Sequence, residues 1–419
     1  MRDHEPAPLD TERRLTTREA ADLLGVKPET VYAYVSRGQL SSRRAAGGRG
    51  STFDAREIEA LARRNRREGA AVSGSGAGEL SVRTGITLIE SDRYYYRGVD
   101  AVDLATRHTY EEVAEWLWTG RMQPGSTFTA PAASVAVARR AVDALPEHAA
   151  PTDLLRVATI AAATADPLRF DLSEDTVLGT ARTLVPTLVA ALPPRGHGRH
   201  DQGPLARRLW DRLSVRDADE ESLRALDAAL GLLADHDLAA STLAVRVAAS
   251  ARAHPYAAIS AGLGVIEGPL HGAASGLAHR LLQDVLEQGD AAPVIAGELR
   301  AGRRVPGLGH RLYPGEDPRA RALFTLLERV PRAEPALLAA RDIVETTARH
   351  TPLHANVDLA LAVLTASCGM PPAAGETIFA VARTAGWIAH ALEEYGERPL
   401  RMRPSGLYAG PKPPRHLPE

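Results

Sequence analysis

The sequence predicts a mostly α-helical protein, and three observations support this prediction. Ala, Leu, Arg and Glu are abundant among the 419 residues, whereas aromatic residues make up only 5%. Apolar residues recur three and four positions apart in long windows such as 222–233 and 373–394, the pattern of packed amphipathic helices. Segments that alternate like a half-buried strand are few, the clearest being 84–90, with 94–97 soon after it.

The bulk composition is that of a globular protein with a core of normal size. Hydrophobic residues make up 44% and charged residues 24%, so folding needs neither disulfides nor metals. Cys368 is the single cysteine, which excludes an intrachain disulfide and fits a reducing compartment. The first residues contain no apolar run typical of a secretory signal, and no stretch of about 18 apolar residues predicts a membrane span. We therefore expect a cytoplasmic protein.

Composition changes along the chain predict four successive segments. Residues 1–15 are polar and are expected to form a mobile tail, and residues 16–67 carry helix signals of their own. Residues 68–79 are small, polar and rich in Gly and Ser, as in a flexible linker. The remaining segment, 80–419, is expected to form one continuous helical body, with an exposed loop at 193–204 that is rich in Gly, Pro, Arg and His.

The segment 16–67 begins with the signals of two short helices. Thr16 and Glu19 have the spacing of a capping box, and Gly25 is expected to end the first helix. Pro28 lies near the start of a second helix, which is predicted to stop near Gly38. Two short helices joined by a Gly-containing turn are typical of a helix-turn-helix. The predicted apolar face of the first helix consists of Ala20, Ala21, Leu23 and Leu24.

Positive charge is concentrated at the end of this segment, although the formal charge of the whole chain is −2. Residues 35–67 contain an excess of about six positive charges. The order of two helices, a Gly/Arg wing and the sequence FDAREIEAL resembles the small winged helix-turn-helix modules of the MerR and excisionase type. This resemblance implies DNA contact; the alternative is a protein-binding module whose arginines form a solvated face. The candidate DNA-binding residues are Thr30, Tyr34, Arg37, Arg43, Arg44 and Arg49.

Four polar residues in the body have surroundings that suit acid–base chemistry or anion binding. His271 lies between small residues at a turn, and glycines flank His310 on its N-terminal side, where a ligand can approach the backbone closely. Arg319 is predicted to open a helix, where it could bind a carboxylate through two hydrogen bonds. Asp358 lies against an apolar helix, a setting that raises the pKa of a carboxyl group and makes it a competent base.

Each of these residues also has a purely structural interpretation. His271 could be a buried structural histidine, and Arg319 could simply pair with Asp317. Asp358 could cap the N-terminus of the helix that it precedes. The residue types alone leave these alternatives open.

Six sequence blocks follow one another along the body. They are ADHDLAAST at 234–242, GPLHGAASG at 268–276, VPGLGHRLYPGEDPRA at 305–320, NVDLAL at 356–361, FAVARTAGWIAHALEE at 379–394 and RPSGLYAGP at 403–411. In this order they make the body resemble the citrate synthase family, over about 340 residues, and the segment from residue 84 resembles the N-terminal strand pair and first helix of that family. The resemblance implies a large and a small helical domain, the latter near 273–372.

The resemblance also implies an activity, the condensation of acetyl-CoA, oxaloacetate and water to citrate and CoA through an enol or enolate. Asp358 is then the base, His271 stabilises the enolate, and His310 polarises the oxaloacetate carbonyl. No metal or permanently bound cofactor is implied. A homodimer is implied, in which Arg403 reaches across to the partner subunit. The implied carboxylate-binding residues are His236, Arg319, Arg383 and Arg403.

Some features of the sequence leave the substrate and the role open. Gly307 and Gly309 are candidates for backbone that faces CoA, but Pro314 and Gly315 stand where relatives often carry a cation near the CoA phosphate. Acetyl-CoA and propionyl-CoA differ by one methylene, so a 2-methylcitrate synthase is an alternative. A second alternative is a DNA-binding regulator whose body senses metabolites. Retention of all three catalytic residue types favours an enzyme.

Overall fold

The computed structural model describes residues 14–24, 28–36, 40–44, 51–55, 57–58, 82–196, 202–268, 272, 274–404 and 408–411. The predicted linker at 68–79 lies outside these residues. Contacts between Cα atoms divide the chain into two compact units, Met1–Arg83 and Thr84–Glu419. Each unit has a hydrophobic core of its own.

The N-terminal unit combines two helices with a three-stranded antiparallel sheet. The strands are arranged in the order β1-β3-β2, and Leu15 of β1 pairs with Phe53 of β3. Because Leu15 is buried in this pairing, Arg14 and Leu15 belong to the N-terminal unit, although the sequence placed them in the predicted tail 1–15. The elements are β1 (Arg14–Thr16), α1 (Thr17–Leu24), α2 (Pro28–Ser36), β2 (Ser42–Arg44) and β3 (Ser51–Asp54).

The predicted capping box is present at the start of α1. The Thr16 backbone N–H donates to Glu19 Oε2 at 2.8 Å, and the Glu19 backbone N–H donates to Thr16 Oγ1 at 3.3 Å. The predicted apolar face is wrong at Leu23, which is 45% exposed. At 100° per residue, Ala20, Ala21 and Leu24 lie on the core side of α1, and Leu23 points away from it.

The second unit is helical apart from one small antiparallel sheet, as the sequence predicts. Its strands β4 (Thr87–Glu90), β5 (Arg93–Tyr96) and β6 (Val99–Asp100) follow one another in the sheet. The helices are α3 (Ala101–Arg107), α4 (Tyr110–Thr119), α5 (Ala132–Asp143), α6 (Pro151–Ala165), α7 (Glu174–Ala191), α8 (Leu205–Leu213), α9 (Glu220–Leu233), α10 (Ala240–Ser250), α11 (Pro255–Ile266), α12 (Ala274–Gln288), α13 (Ala291–Arg300), α14 (Pro318–Leu327), α15 (Glu334–Ala348), α16 (Val357–Ser367) and α17 (Ala374–Tyr395).

Helix α17 is the central element of this unit. It is buried along most of its length and packs against α4, α6, α7, α9, α10, α11 and α12. Such all-round burial agrees with its nearly continuous run of small and apolar residues between 377 and 392. Helices α12, α14 and α15 pack on α16. In the part of the chain that the structure describes, no helix has both the length and the apolar character needed to cross a bilayer.

Candidate active site

The packing of four helices brings most of the predicted polar residues into one region. His236 lies in the turn between α9 and α10, and His310 lies in the segment before α14. Arg319 is in the first turn of α14, Asp358 is in the first turn of α16, and Arg383 is in the middle of α17. Because α9 packs on both α14 and α17, and α14 packs on α16, these segments meet.

His236, His310 and Tyr313 form an aromatic cluster at the centre of this region. The two imidazole rings are 5.3 Å apart and nearly perpendicular, and the Tyr313 ring lies 4.9 Å from that of His310. His236 Nε2 is 2.8 Å from the Tyr313 hydroxyl oxygen. Asp237, which follows His236, has a left-handed backbone with φ +55°, which sharply turns the chain. Burial, then the charges of Arg319 and Arg383, lower the pKa of His236 well below its usual value, so this imidazole is neutral.

Arg319 is buried and joined to a carboxylate and to an imidazole. Its Nε and Nη2 atoms donate to the two Asp317 oxygens at 3.0 and 2.8 Å, so the predicted alternative of an Arg319–Asp317 pair is confirmed. Nη2 also lies 3.2 Å from His310 Nε2. Asp317 accepts from the Val357 backbone N–H at 3.1 Å, which ties the start of α14 to the start of α16. The guanidinium is thus held beside His310.

Both ring nitrogens of His310 face N–H groups. The Leu312 backbone N–H donates to His310 Nδ1 at 3.1 Å, and Arg319 Nη2 lies 3.2 Å from His310 Nε2. Burial, together with the neighbouring Arg319 charge, lowers the pKa of His310 to about 4, so the ring is neutral near neutral pH. The single N–H of a neutral imidazole can donate a hydrogen bond to a carbonyl oxygen.

Asp358 has the properties of a base, and the alternative of a capping residue is wrong. Asn356 caps α16 instead, because its side-chain oxygen accepts from the Asp358 backbone N–H at 3.0 Å. Burial raises the pKa of Asp358 to about 6, although the Arg319 charge acts in the opposite direction. The carboxylate is therefore ionised at neutral pH and is more basic than an exposed aspartate.

Arg383 presents an unsatisfied donor inside the core. Its Nε donates to the Leu233 carbonyl at 2.9 Å, and its guanidinium lies 4.6 Å from the centre of the Phe379 ring. Its buried Nη2 has no hydrogen-bond partner among the described residues. Burial lowers the pKa of Arg383, and the Asp235 charge partly opposes this effect. Since an orphaned guanidinium donor is costly, its position favours an anionic ligand there.

Gly307 and Gly309 join two loops through backbone hydrogen bonds. The Gly307 carbonyl accepts from the Asn356 backbone N–H at 2.9 Å, and the Gly309 N–H donates to the His354 carbonyl at 2.8 Å. Both glycines have left-handed backbones, and a Cβ on Gly307 would lie 2.9 Å from that of Leu359. Gly309 also lines a cavity beside His310, and the assignment of both glycines as CoA-facing backbone stays a prediction. The Asn356 side chain donates to the Gly309 carbonyl at 2.9 Å, which places the His310 segment beside the Asp358 helix.

A cavity of about 600 Å³ opens beside His310. Apolar side chains such as Ile295, Leu299 and Leu353 line it, and three arginines lie on its wall. Sequence reasoning missed these arginines because the expected cation was sought at Pro314 and Gly315. The clustered basic residues of the stretch before and after the VPGLGH block were the signal that could have identified them. They are Arg303, Arg304 and Arg311.

The structure does not bring every predicted residue to this region. His271 lies outside the described residues. Arg403 is exposed, and its backbone N–H donates to the Leu400 carbonyl at 3.1 Å. The sequence reasoning also missed Tyr313 as a partner of His236. In the described parts of the chain, no group of three or more metal-ligating side chains has the arrangement of a metal site.

The predicted DNA-binding residues are only partly described. Arg37 and Arg49 lie outside the described residues, and Arg44 is placed on β2 by its backbone. Arg43 is exposed on the same strand, and Thr30 is half-buried on α2. Tyr34 was expected on the exposed face, but it packs partly against the core because it lies one turn from the buried Val31.

Comparison with known proteins identifies both units. The model of the C-terminal domain of citrate synthase matches residues 76–405, and a helix-turn-helix domain matches residues 14–66. This chain belongs to the citrate synthase family. Citrate synthase 2 of Bacillus subtilis is 30% identical over 81% of this chain and 96% of its own length. The 2-methylcitrate synthase of Shewanella oneidensis is 26% identical over 84% of this chain and 97% of its own length.

Other relatives cover the chain differently. A Mycobacterium tuberculosis protein whose name includes the words citrate synthase 2 is 38% identical over 46% of this chain, and the match spans 53% of that relative's length. The solved citrate synthase of Thermotoga maritima is 26% identical, with a TM-score of 0.63 over 84% of this chain and 98% of its own. The family performs an acyltransferase-type condensation, uses an acyl-CoA as co-substrate and needs no permanently bound cofactor.

Proposed function

We propose that this protein condenses acetyl-CoA with oxaloacetate and water to give citrate and CoA. The observation that carries the proposal is that a basic carboxylate, Asp358, lies within electrostatic reach of the buried Arg319 guanidinium, which contacts the neutral imidazole of His310. Enolate chemistry needs a base for a weakly acidic C–H proton, together with donors for the developing oxyanions. These side chains supply the base and the donor at the electrophile.

The first step is proton removal from the methyl carbon of the thioester by the Asp358 carboxylate. The electron pair of the C–H bond moves into the enolate, whose oxygen accepts a hydrogen bond from His271, the residue that the family resemblance assigns to this role. The enolate carbon then attacks the oxaloacetate carbonyl, and His310 gives its ring proton to the oxygen as the C–C bond forms. Water finally hydrolyses the citryl thioester, which releases citrate and CoA.

The carboxylates of oxaloacetate are proposed to bind the cationic side of the site. Arg319 and the unsatisfied Nη2 of Arg383 offer guanidinium donors within a region that excludes much of the solvent. His236 is held by Tyr313 and adds a neutral ring at the same place. Arg403 is proposed to complete the site of the partner subunit in a homodimer, which agrees with its exposure in the single chain.

The cavity beside His310 is the proposed seat of CoA. Its volume of about 600 Å³ and its apolar lining suit an adenine ring, and Arg303, Arg304 and Arg311 can pair with phosphates. The nucleotide would then bind on the same side of the molecule as the reacting thioester. The choice between an acetyl and a propionyl group depends on one methylene. An apolar pocket separates the two groups by about 1–3 kcal/mol of binding free energy.

Release of free thiol tests this proposal directly. Purified protein with oxaloacetate is expected to release CoA from acetyl-CoA faster than from propionyl-CoA at equal concentration. Asp358→Ala is expected to lower turnover by about 10²–10⁴-fold, because general base catalysis is lost. The exposed Asp284→Ala variant in α12 is the matched control and should keep full activity. A preference for propionyl-CoA would favour a 2-methylcitrate synthase, and no consumption of either thioester would favour a metabolite-sensing regulator.

We further propose that the N-terminal unit binds DNA. The domain match, the two-helix and three-strand arrangement, and the exposed basic strand β2 support this second function. DNA fragments should be retarded by the protein at low salt and released as salt rises, since phosphate contacts dominate such binding. Arg43→Ala should weaken binding, whereas Arg349→Ala in the enzyme body should not. Absence of retardation at low salt would favour a protein-binding role.

A further inference from the structure

A line of buried charged and polar groups runs from the turn that carries His236 to the segment that carries Arg403. Its members alternate between donors and acceptors and come from α17, α10, the 234–239 turn and the residues after α17. None of them belongs to the proposed catalytic or substrate-binding set. In order, they are Asp235, His390, Arg246, Glu394 and Arg401.

The inner end of this line fixes the backbone next to His236. His390 Nδ1 lies 2.8 Å from Arg246 Nη1, and an arginine can only donate, so Nδ1 accepts and the ring proton is on Nε2. That Nε2 donates to Asp235 Oδ2 at 3.3 Å. Thr87 of β4 donates to the same oxygen, and the Tyr96 hydroxyl contacts the Asp235 backbone. Asp235 is fully buried, so its orientation is set by these partners.

The outer end holds the segment that follows α17. Arg401 donates to both Glu394 oxygens, at 2.8 and 2.6 Å, and the Glu394 carboxylate also accepts from Arg246 Nε at 3.2 Å. The Leu400 backbone N–H donates to the Ser250 carbonyl at 2.7 Å, which adds a second fixed point. Arg403 lies two residues beyond Arg401 in the same segment.

The energetics make this line act as a unit. Arg246 and Glu394 are fully buried, and a buried charge that loses its partner costs several kcal/mol. Each group is a hydrogen-bond partner of the next, and Glu393 also accepts from Arg246 Nη1 at 2.6 Å, so displacement of one member weakens the pairing of its neighbours. Burial alone would raise the pKa of Asp235, but His390 and Arg383 hold it below its usual value. The Asp235 carboxylate therefore stays ionised, next to His236 in the chain and within electrostatic reach of Arg383.

We propose that Asp235, His390, Arg246, Glu394 and Arg401 are positioning residues for the oxaloacetate site. These residues hold the turn that carries His236, which is proposed to bind oxaloacetate in its own subunit. They also hold the segment that carries Arg403, which is proposed to reach the partner subunit. One network therefore links the two proposed oxaloacetate-binding residues of a chain. This inference rests on the proposed function, because it takes His236 and Arg403 as ligands of oxaloacetate carboxylates. It assigns no chemical step to the five residues.

The test measures oxaloacetate affinity by calorimetry, together with the KM values for oxaloacetate and acetyl-CoA. Arg401→Ala and His390→Ala should each weaken oxaloacetate binding by about tenfold, the effect of losing one charge-assisted hydrogen bond. The KM for acetyl-CoA of the same variants should differ from that of the wild-type protein by less than about twofold. His390→Gln should restore affinity, because its amide can accept from Arg246 and donate to Asp235. Arg398→Ala, an exposed change in the same segment, is the control.

The double variant separates a linked network from two independent contacts. His390→Ala combined with Arg401→Ala should weaken oxaloacetate binding by clearly less than the product of the single effects. Additive effects, an equal rise in both KM values, or a lower melting temperature with unchanged oxaloacetate affinity would overturn the inference. If His390→Ala does not fold, the partly exposed Arg401→Ala still decides the matter. Wild-type protein that binds oxaloacetate without turnover would refute the proposed activity alone, whereas no binding would refute both.

Discussion

At the scale of single residues, burial decides the chemistry of the site. The pKa values of Asp358 and His310 shift in opposite directions. Burial raises the pKa of the Asp358 carboxyl group to about 6 and lowers that of the His310 imidazole to about 4. Near neutral pH the carboxylate is ionised and the imidazole is neutral. One group can then accept a carbon-bound proton while the other donates a hydrogen bond. An exposed Asp would be a weaker base, and an exposed His would be partly protonated near neutral pH.

The activity should therefore rise with pH as the Asp358 carboxyl group loses its proton. The base works only when deprotonated, so kcat/KM should rise with pH and level off above the pKa of about 6. His310 is already neutral in this range and should add no second step. The measurement is kcat/KM for acetyl-CoA between pH 5 and pH 8, in steps of about half a unit. A profile that is flat down to pH 5 would argue against Asp358 as the base.

At the scale of elements, one glycine controls how closely α17 approaches the turn that carries His236. The Gly386 backbone N–H donates to the Ala234 carbonyl at 2.9 Å. A Cβ at this position would lie only 2.4 Å from the Ala234 oxygen and from an Asp235 carboxylate oxygen. Both atoms belong to a tightly packed region, so the turn would have to move. Helix packing and substrate geometry are thus set by the same contact.

Gly386→Ala should accordingly damage both stability and oxaloacetate binding. Overpacking of this kind costs about 1–3 kcal/mol of unfolding free energy, measured by chemical denaturation. Gly179→Ala is the matched control, because it is also helical but its Cβ would meet nothing within 4 Å. That control should be stabilised by about 0.5–1 kcal/mol, since alanine is the better helix former. Equal effects of the two substitutions would contradict the steric explanation.

At the scale of the whole molecule, a pair of carboxyl groups outside the candidate catalytic set contributes to the pH dependence of stability. Burial, followed by the neighbouring Glu111 charge, raises the pKa of Asp227 to about 7. The folded state binds this proton more tightly than the unfolded chain, in which the pKa is about 3.9. The contribution of Asp227 to stability should therefore fall as the pH rises from about 4 to about 7. This is the reverse of the usual effect of a paired aspartate.

Asp227→Asn should remove this pH dependence. The amide oxygen can still accept from the Tyr110 backbone N–H, which Asp227 Oδ1 now does at 3.2 Å. At pH 8 the variant should be more stable than wild type by roughly 1–3 kcal/mol, and the difference should vanish near pH 4. Unfolding by urea at both pH values gives the comparison, with Asp284→Asn as the exposed control. A variant that is less stable at pH 8 would disprove the assignment.

The sequence alone determined the features that depend on neighbours along the chain. Helical periodicity predicted α9 and α17, and the Thr16–Glu19 spacing predicted the capping box. The blocks around His236 and His310 also predicted two residues whose rings the fold brings into contact. The predicted burial of Leu23 and the predicted exposure of Tyr34 are wrong. Which positions of a short helix become buried depends on the elements that pack against it, and local sequence does not record them.

Only the tertiary structure decided what surrounds those residues. Three features depend on groups that are far apart in sequence. They are the contact of Tyr313 with His236, the buried environment that leaves Arg383 Nη2 without a partner among the described residues, and the close approach at Gly386. Their consequences come from burial and direction, which no local pattern records. A side chain acquires its pKa from the groups that packing places around it. The residue types were therefore visible in the sequence, whereas their protonation states and mutual support followed from the fold.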